Sequence, residues 1–367
     1  MVERILLNGP EVCAALVEMN NHLKKINRSQ VAPWLAAAGF IGAGIAVRKF
    51  ARTGAQHSVQ FRGMTALITG GSRGLGLALA AELGGRGVRV AICARNQDEL
   101  RSAQQRLASR HIDAAVFAAD VTRQADIDSL VKRVLEHFGR IDILVNDAGK
   151  IVVGPVDAFT HSDYDEAMNL MFWAGLNMTF AVLPHMKKQG GGHVINITSV
   201  GGRVSVPHLL PYSCAKFAFV GFSTGLSAEL RSENIDVLTV VPGLMRTGSY
   251  LNAEFKGASR EEFTWFGLLG NLPGFSVAAD YAAQEIVDAV QKRRHICTIS
   301  LPAKVLIASE ALMPEVVREL MTVINRYMLP GSSAKEPHIG KYLNPALNLV
   351  FQGATALGRS AASELNQ

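Results

Sequence analysis

The sequence predicts an α/β fold built on a doubly wound parallel sheet, with helical extensions at both ends. Between Met64 and Leu301, short apolar runs alternate with longer stretches that have helical spacing. The runs are largely apolar throughout, which is typical of strands buried on both faces of a parallel sheet. A glycine-rich turn follows the first run and leads directly into a helical stretch. Such sheets bind ligands at the carboxyl ends of their strands, so we expect the functional site at that edge.

Six apolar runs are the predicted strands, and helix-like segments lie between them. The strands are predicted at 65–69, 88–94, 114–119, 141–146, 193–198 and 236–241. The clearest helices between them are predicted at 75–83, 125–138 and 217–231. A helix near 277–292 and a strand near 297–301 form a further unit, and a helical tail follows it.

The first sixty residues differ in composition from the rest of the chain. Residues 10–27 have the apolar spacing of an amphipathic helix, and residues 31–47 contain no charged side chain. Lysines and arginines flank that stretch on both sides. Its length lies at the lower limit of roughly 17–25 residues for a bilayer span. We therefore expect membrane contact at 31–47, ahead of the alternative that this segment packs on the protein surface or in a dimer interface.

The positive charge of the chain is concentrated at its N-terminal end. The formal net charge is +6, and residues 1–62 hold eight Lys or Arg and only three acids. Because the rest of the chain is nearly neutral, a nucleic-acid partner is not expected. The four cysteines are widely separated and have no metal-ligand spacing, which indicates a reducing compartment and no metal site. We expect a cytoplasmic protein, with membrane association through 31–47.

The glycine-rich turn predicts a dinucleotide site. Glycines allow a tight turn and let the backbone approach a pyrophosphate, and the helix that follows presents free N–H groups and the positive end of its dipole. The predicted cofactor-binding residues here are Thr69, Gly70, Ser72, Arg73, Gly74, Leu75 and Gly76. Arg95 follows the second strand, where an NAD-selective fold places an acid. Since arginine binds phosphate bidentately, Arg73 and Arg95 favour NADP(H) over NAD(H), unless both are solvated surface residues.

Further motifs follow the glycine turn in a fixed order, and together they carry a family resemblance. They are Asp120-Val121-Thr122, Asn146-Asp147-Ala148-Gly149, Ser199, Tyr212-Ser213-Cys214-Ala215-Lys216, and Pro242-Gly243 with Thr247. With these motifs, the chain from about Phe61 to Leu301 resembles the short-chain dehydrogenase/reductase family. The resemblance implies a Rossmann-like domain and an NAD(P)-dependent oxidoreductase that interconverts a carbonyl and an alcohol.

The predicted catalytic residues are Ser199, Tyr212 and Lys216. Reduction of a carbonyl leaves a developing alkoxide that needs a proton, and a tyrosine hydroxyl can supply it if its pKa falls toward the working pH. Lys216 stands four residues after Tyr212, on the same helix face, and its ammonium is expected to lower that pKa. Ser199 is expected to hydrogen-bond the substrate oxygen. Taken alone, the Tyr-x-x-x-Lys pair would more often be a surface pair on an amphipathic helix.

The resemblance implies roles for the remaining motif residues. Asp120 and Val121 are expected at the adenine, although Asp120 could simply cap the next helix. Asn146 is expected to stabilise the sheet beside the cofactor, and the expected cofactor-binding residues also include Ala148, Gly149, Tyr212 and Lys216. The segment Pro242–Thr247, which includes Gly243, is expected to hold the nicotinamide carboxamide.

Two positions depart from the family pattern. The common Asn-Asn-Ala-Gly has Asp147 at its second position, which adds a charge. A fourth catalytic residue, an asparagine in many members, aligns with Met171. Because methionine cannot replace the polar side chain, the proton relay from Lys216 to water is in doubt, although backbone groups and water could serve it.

The substrate is expected to be a small carbonyl or alcohol compound of lipophilic character. Residues 244–275 carry apolar side chains that line a pocket or lid, or equally pack helices: Tyr250, Leu251, Phe255, Phe263, Trp265, Phe266, Leu268 and Leu269. The predicted domains are an N-terminal helical extension at 1–60, a Rossmann-like dinucleotide-binding and catalytic domain at 61–301, and a C-terminal helical extension at 302–367. The C-terminal extension could cover the active site, build a homo-oligomer interface or lie on a membrane. The alternative function is a membrane-tethered NADP(H)-binding regulatory module with little turnover.

Overall fold

The computed structural model describes residues 58–343 and 355–367, which belong to one compact unit, Ser58–Gln367. The predicted amphipathic helix at 10–27 and the predicted membrane segment at 31–47 lie outside the described residues. The domain boundaries after residues 60 and 301 stay predictions.

A seven-stranded sheet in which every pairing is parallel forms the centre of the unit, as predicted. Its order is β3-β2-β1-β4-β6-β7-β11, with the strands β1 Thr65–Thr69, β2 Arg89–Ala94, β3 Ala114–Ala118, β4 Ile143–Asn146, β6 Gly192–Ile197, β7 Ile235–Pro242 and β11 Ile296–Ile299. Five short strands form two small sheets beside it: β5 Val152–Val153, β8 Leu244–Arg246, β9 Glu254–Phe255, β10 Ser276–Ala278 and β12 His338–Ile339.

The helices cover both faces of the large sheet and extend beyond it. They are α1 Gly74–Gly85, α2 Gln97–Ala108, α3 Gln124–Phe138, α4 His161–Met168, α5 Ala174–Lys188, α6 Leu210–Glu229, α7 Ser249–Asn252, α8 Ser259–Asn271, α9 Ala279–Gln291, α10 Leu301–Leu312, α11 Pro314–Tyr327, α12 Gly340–Leu343 and α13 Ala356–Glu364. Helix α6 begins at Leu210, earlier than the predicted 217, because Pro211 suits the first turn of a helix. Tyr212 and Lys216 consequently lie in its first two turns.

Two apolar layers hold the helices on the sheet. One layer packs α1, α2 and α9 against one face through side chains such as Leu79, Leu100 and Ile286. The other packs α3, α5 and α6 against the opposite face. All five residues of β1 are buried, as expected for a strand covered on both sides. The doubly wound, Rossmann-like fold predicted from the sequence is therefore confirmed.

The strand order places the site. From β1 the chain continues through β2 and β3 on one side, and from β4 it continues on the other. Thr69 and Asn146 end these two central strands and lie opposite each other in register. The crevice between them is the topological switch point, where open α/β sheets bind their ligands.

A small apolar cluster stands apart from the main core. Tyr250, Phe255, Phe263 and Phe266 are buried in it together with Val153 and Ala253. Leu251, Trp265 and Leu268 pack against this cluster, whereas Leu269 is exposed. Most of the apolar side chains predicted for a pocket or lid therefore pack against one another and stiffen the segment that carries them.

The continuous helical run His161–Lys188 is, within the described residues, long and apolar enough to cross a membrane by length and composition. Its residues Met178, Val182 and Met186 are fully buried against the sheet. One face of this run therefore belongs to the core of the fold, whereas Trp173 and Phe180 on it are exposed.

Candidate active site

The first turn of α1 leaves a backbone donor for a ligand. Its three leading N–H groups belong to Gly74, Leu75 and Gly76. The Gly74 N–H donates to Leu365 O at 2.9 Å. The Gly76 N–H faces the Asp147 carboxyl and lowers its pKa. The Leu75 N–H meets no protein acceptor in the described part of the chain. A helix N-terminus with a free donor fits a pyrophosphate.

Close backbone packing explains why glycines are needed in this turn. A Cβ atom on Gly76 would lie 2.4 Å from Gly70 O, and one on Gly70, whose φ is +70°, would lie 3.1 Å from Ala148 N. Any larger residue would push the turn away from β4. The residues present thus fit a dinucleotide bound at the switch point.

Charged side chains border the turn on the adenosine side. Arg73 lies 3.6 Å from Glu99, whose carboxylate also accepts a hydrogen bond from the Ser72 hydroxyl at 3.2 Å. Arg95 is exposed, and its charge helps to lower the pKa of Asp120. The contact of Glu99 with the glycine turn was not predicted from the sequence. Glu99 lies in the first turn of α2, and only the packing of α2 brings it to the glycine turn.

The structure brings the three predicted catalytic side chains together. Ser199 follows β6, and its hydroxyl accepts the Gly201 N–H at 3.0 Å. A Cβ atom on Gly201 would lie 3.2 Å from Tyr212 Cε1 and 3.5 Å from Ser199 Oγ, so both side chains border the same glycine. Lys216 Nζ lies 5.8 Å from the Tyr212 ring centroid and donates to Ile197 O at 2.8 Å.

The Tyr212 pKa does not follow the direction expected from the sequence. Burial raises the pKa of Tyr212, the Ser199 hydroxyl opposes this, and the Asp147 carboxylate adds to it. Burial also lowers the pKa of Lys216 to about 8, although Asp147 opposes this shift. The physical reason is that the buried Lys216 ammonium is bound to Ile197 O, so it does not offset the effects of burial and of Asp147 on the phenol. The expectation of an ammonium-lowered phenol pKa is wrong for this arrangement.

Asp147 is the charged group that affects the pKa values of both Tyr212 and Lys216. A Cβ atom on Gly76 would lie 2.9 Å from Asp147 Oδ2, so the carboxyl points at the start of α1. Burial raises the pKa of Asp147 to about 7, against the opposing effects of Lys216 and the Gly76 N–H. The Asp147 carboxyl therefore interacts with both the glycine turn, through the Gly76 N–H, and Lys216.

Asn146 anchors a buried chain of polar side chains. Its Nδ2 donates to Thr179 Oγ1 at 3.0 Å and to Asn196 Oδ1 at 2.9 Å. The Asn196 amide in turn donates to Ser223 Oγ, which shares a hydrogen bond with Thr239. These contacts tie β4, β6 and β7 to the helices behind them.

The remaining motif residues lie around the same crevice. Asp120 accepts hydrogen bonds from the N–H and hydroxyl of Thr122, which is a local turn contact. Burial alone would raise the pKa of Asp120, but Thr122 and then Arg95 outweigh it and lower the pKa. Pro242 ends β7, and the Gly243 N–H donates to Ile299 O at 3.1 Å. Thr247 is buried.

Met171 is the residue that the sequence analysis aligned with the family's catalytic asparagine. It lies in a π-helical bulge at Asn169–Trp173, and 3% of its surface is exposed. Such bulges are frequent at functional sites. Met171, Val121 and Ala148 line a cavity of about 10 Å³, and Met171 Sδ lies 3.8 Å from where a Gly149 Cβ would stand. A cavity of that volume is at the lower limit for one water molecule. Met171 thus fills this space with apolar atoms.

Two polar clusters fix the segments around the site, and neither was predicted. Glu262 is fully buried and binds His208 at 2.7 Å and the Trp265 indole N–H at 2.6 Å. Lys256 forms a buried ion pair with Asp163 at 2.7 Å. Both clusters join residues far apart in sequence, so spacing alone gave no signal for them.

Comparisons with known proteins agree with this geometry. Residues 64–254 match the family described as short chain dehydrogenase. A Drosophila melanogaster protein named dehydrogenase/reductase SDR family protein 7-like is 33% identical over 252 residues, which are 67% of this chain and 76% of that protein. A short-chain dehydrogenase structure from Streptomyces avermitilis matches with a TM-score of 0.60 at 30% identity, over 72% of this chain and 97% of that chain.

A second solved structure carries a bound nucleotide. L-Sorbose reductase from Gluconobacter frateurii, complexed with NADPH and L-sorbose, matches with a TM-score of 0.58 at 25% identity. The match covers 65% of this chain and 95% of that chain. The fold and the site thus define a nucleotide-dependent oxidoreductase that acts on CH–OH groups. The chain belongs to the short-chain dehydrogenase family.

Proposed function

We propose that this chain is an NADP(H)-dependent reductase that converts a lipophilic ketone or aldehyde into an alcohol, with Tyr212 as the proton donor. The observation that carries the proposal is the convergence of Ser199, Tyr212 and Lys216 beside the switch-point crevice, around Gly201 and Ile197 O. The same residues would act in the reverse, oxidative direction.

Each side chain has a separate task in this proposal. The bound nicotinamide supplies the hydride to the carbonyl carbon. Ser199 donates a hydrogen bond to the carbonyl oxygen, where negative charge develops. Tyr212 donates its hydroxyl proton to that oxygen. Lys216, held by Ile197 O at 2.8 Å, supplies a positive charge 5.8 Å from the Tyr212 ring centroid, and this charge offsets the negative charge that develops in the crevice during reduction.

The preference for NADP(H) rests on the adenosine side of the crevice. Arg73 lies in the glycine turn and the exposed Arg95 follows β2, and a relative at 25% identity is complexed with NADPH, which together support a 2′-phosphate ligand. Glu99 holds Arg73 at the turn and leaves Arg95 exposed to meet the phosphate. We infer that Arg95 is the main 2′-phosphate ligand.

The lipophilic character of the substrate rests on the uncharged segment 31–47. The segment also supports membrane contact. The alternative of a regulatory module with little turnover had only Met171 in its favour, and the assembled Ser199, Tyr212 and Lys216 site argues for turnover.

A side-by-side screen tests the proposal. Consumption of NADPH and NADH is measured spectrophotometrically with the full chain and a panel of ketones and aldehydes that ranges from polar sugars to long-chain and polycyclic compounds. We expect turnover with NADPH well above that with NADH, and the highest kcat/KM for apolar carbonyls. Turnover restricted to NADH, or to polar sugars, would contradict the corresponding part of the proposal.

A further inference from the structure

The described C-terminal residues, 355–367, pack on the glycine turn of the crevice. Helix α13 brings the chain to Leu365, which is buried in the same apolar layer as α1. Leu365 O accepts the Gly74 N–H at 2.9 Å, so this segment takes one of the first donors of α1. The contact joins residues almost three hundred positions apart in the sequence.

Asn366 fixes the segment to two elements at once. Its side-chain amide donates to Ser72 O at 2.9 Å and to Glu99 O at 3.1 Å. Its Oδ1 accepts from the Ser102 hydroxyl at 2.8 Å. The whole side chain is therefore used to hold the segment against the glycine turn and α2.

Gln367 projects between the two segments expected to hold the cofactor. Its Oε1 accepts from Asn252 Nδ2 at 2.7 Å, which sets the orientation of the amide. A Cβ atom on Gly74 would lie 2.6 Å from Gln367 Nε2 and 3.9 Å from Thr247 Cβ. The Nε2 amide group thus lies at the N-terminus of α1, on the side that faces Thr247.

The hydrogen-bond donors at the N-terminus of α1 suit a negatively charged diphosphate. Gln367 Nε2 carries two N–H groups, and within the described residues neither meets an acceptor. The Leu75 N–H beside it is also without an acceptor there. Gln367 is half-buried, and a diphosphate bound at the helix N-terminus would offer charged oxygen acceptors to its amide and to the Leu75 N–H.

We propose that Gln367 binds the diphosphate of the cofactor through its side-chain amide, and that Leu365 and Asn366 hold it in place. The C-terminal segment is then one wall of the nucleotide crevice. This inference rests on the proposed function, because it takes the dinucleotide to be the ligand of the crevice. The opposite possibility is that the segment blocks the crevice and must leave before the cofactor enters.

Two substitutions at this position separate these possibilities. In Gln367→Ala the amide is lost, and we expect the Kd for NADPH to rise about tenfold, as for a hydrogen bond to a charged group. Gln367→Glu keeps the shape and the oxygen that binds Asn252 but replaces the donor by a negative charge, so its Kd for NADPH should rise further. Binding is followed by nucleotide fluorescence with the full chain.

A ligand without the diphosphate provides the specificity control. Adenosine 2′-phosphate lacks the diphosphate, so both variants should bind it as the wild type does. Gln105→Ala removes an exposed glutamine from α2 and should change neither Kd.

Each other outcome overturns the inference. Unchanged NADPH binding in Gln367→Ala removes the proposed contact, and tighter binding shows that the segment competes with the cofactor. Equal weakening of adenosine 2′-phosphate indicates a general distortion of the crevice. A wild-type chain that binds adenosine 2′-phosphate but not NADPH refutes the contact, whereas one that binds neither nucleotide refutes the proposed NADP(H) dependence itself.

Discussion

The charge of a single residue, Asp147, distinguishes this active site electrostatically. Its carboxyl lies between the start of α1 and the Tyr212–Lys216 pair, and its pKa is raised to about 7 by burial. The groups that act on it are Lys216 and the Gly76 N–H, and it acts in turn on Lys216 and Tyr212. When ionised, it favours the ammonium form of Lys216 and disfavours the tyrosinate.

Removing this charge is expected to move the pH dependence of reduction. The pKa of Lys216 is about 8, so kcat/KM for reduction should fall as the pH rises through that value and the ammonium is lost. Asp147→Asn deletes the charge that holds this pKa up, so the fall should begin at lower pH. The measurement is kcat/KM for a ketone across pH 6–10 in both proteins.

The matched control is Asp128→Asn, which removes an exposed carboxylate from α3. Its pH profile should match that of the wild type. A profile of Asp147→Asn with an unchanged alkaline limb, but with lower stability, would show that Asp147 is only structural.

At the scale of residues, the sequence was informative for side chains that belong to a motif of neighbouring residues. Tyr212 and Lys216 lie on one helix face and Ser199 follows strand β6, and the family resemblance implied that the three side chains meet. The direction of the Tyr212 pKa could not, because it depends on burial and on Asp147 from another strand. Gln367 and Asn366 gave no signal, since their partners are distant in sequence.

At the scale of elements, the βα unit β1–α1 determines nucleotide binding. Gly76 is packed so closely that a Cβ atom would lie 2.4 Å from Gly70 O. Gly85 ends the same helix, and a Cβ atom there would meet nothing within 4 Å. The two glycines therefore differ in packing while sharing a helix.

We expect Gly76→Ala to weaken NADPH binding by about tenfold or more, because the turn must shift to make room for the methyl group. Gly85→Ala should leave NADPH binding unchanged and slightly stabilise α1, since alanine favours helix over glycine. The measurement is the Kd for NADPH of the two variants. Equal Kd values would show that the close contact at Gly76 does not shape the site.

The large elements were predictable because the periodicity of apolar residues fixes them. The seven parallel strands follow from apolar runs, and the glycine turn identifies the switch point. The small sheets β5–β9–β12 and β8–β10 have strands of two or three residues, which are too short to leave a periodic signal. They form through tertiary contacts.

At the scale of the whole molecule, the composition of segment 31–47 predicts membrane contact. In the described residues, α10 and α11 also expose large apolar side chains, including Leu301, Leu312 and Leu320. Ser58–Gln367 forms a compact unit of its own, so the N-terminal part can be removed in a test.

We expect the full chain to sediment with membranes and a form that starts at Ser58 to stay in the supernatant, because the predicted anchor lies at 31–47. The measurement is the distribution of both forms after ultracentrifugation of a lysate. If both forms stay in the supernatant, the anchor prediction is wrong. If both sediment, the exposed apolar surface of α10 and α11 carries the contact instead.

The central claim is that the hydroxyl of Tyr212 protonates the product oxygen, and the most direct test compares the wild type with Tyr212→Phe. The substitution removes only the hydroxyl, so NADPH should still bind with a similar Kd. With the best ketone from the screen, the rate of NADPH consumption should fall by about 100- to 10,000-fold. Equal rates in the two proteins would contradict the account.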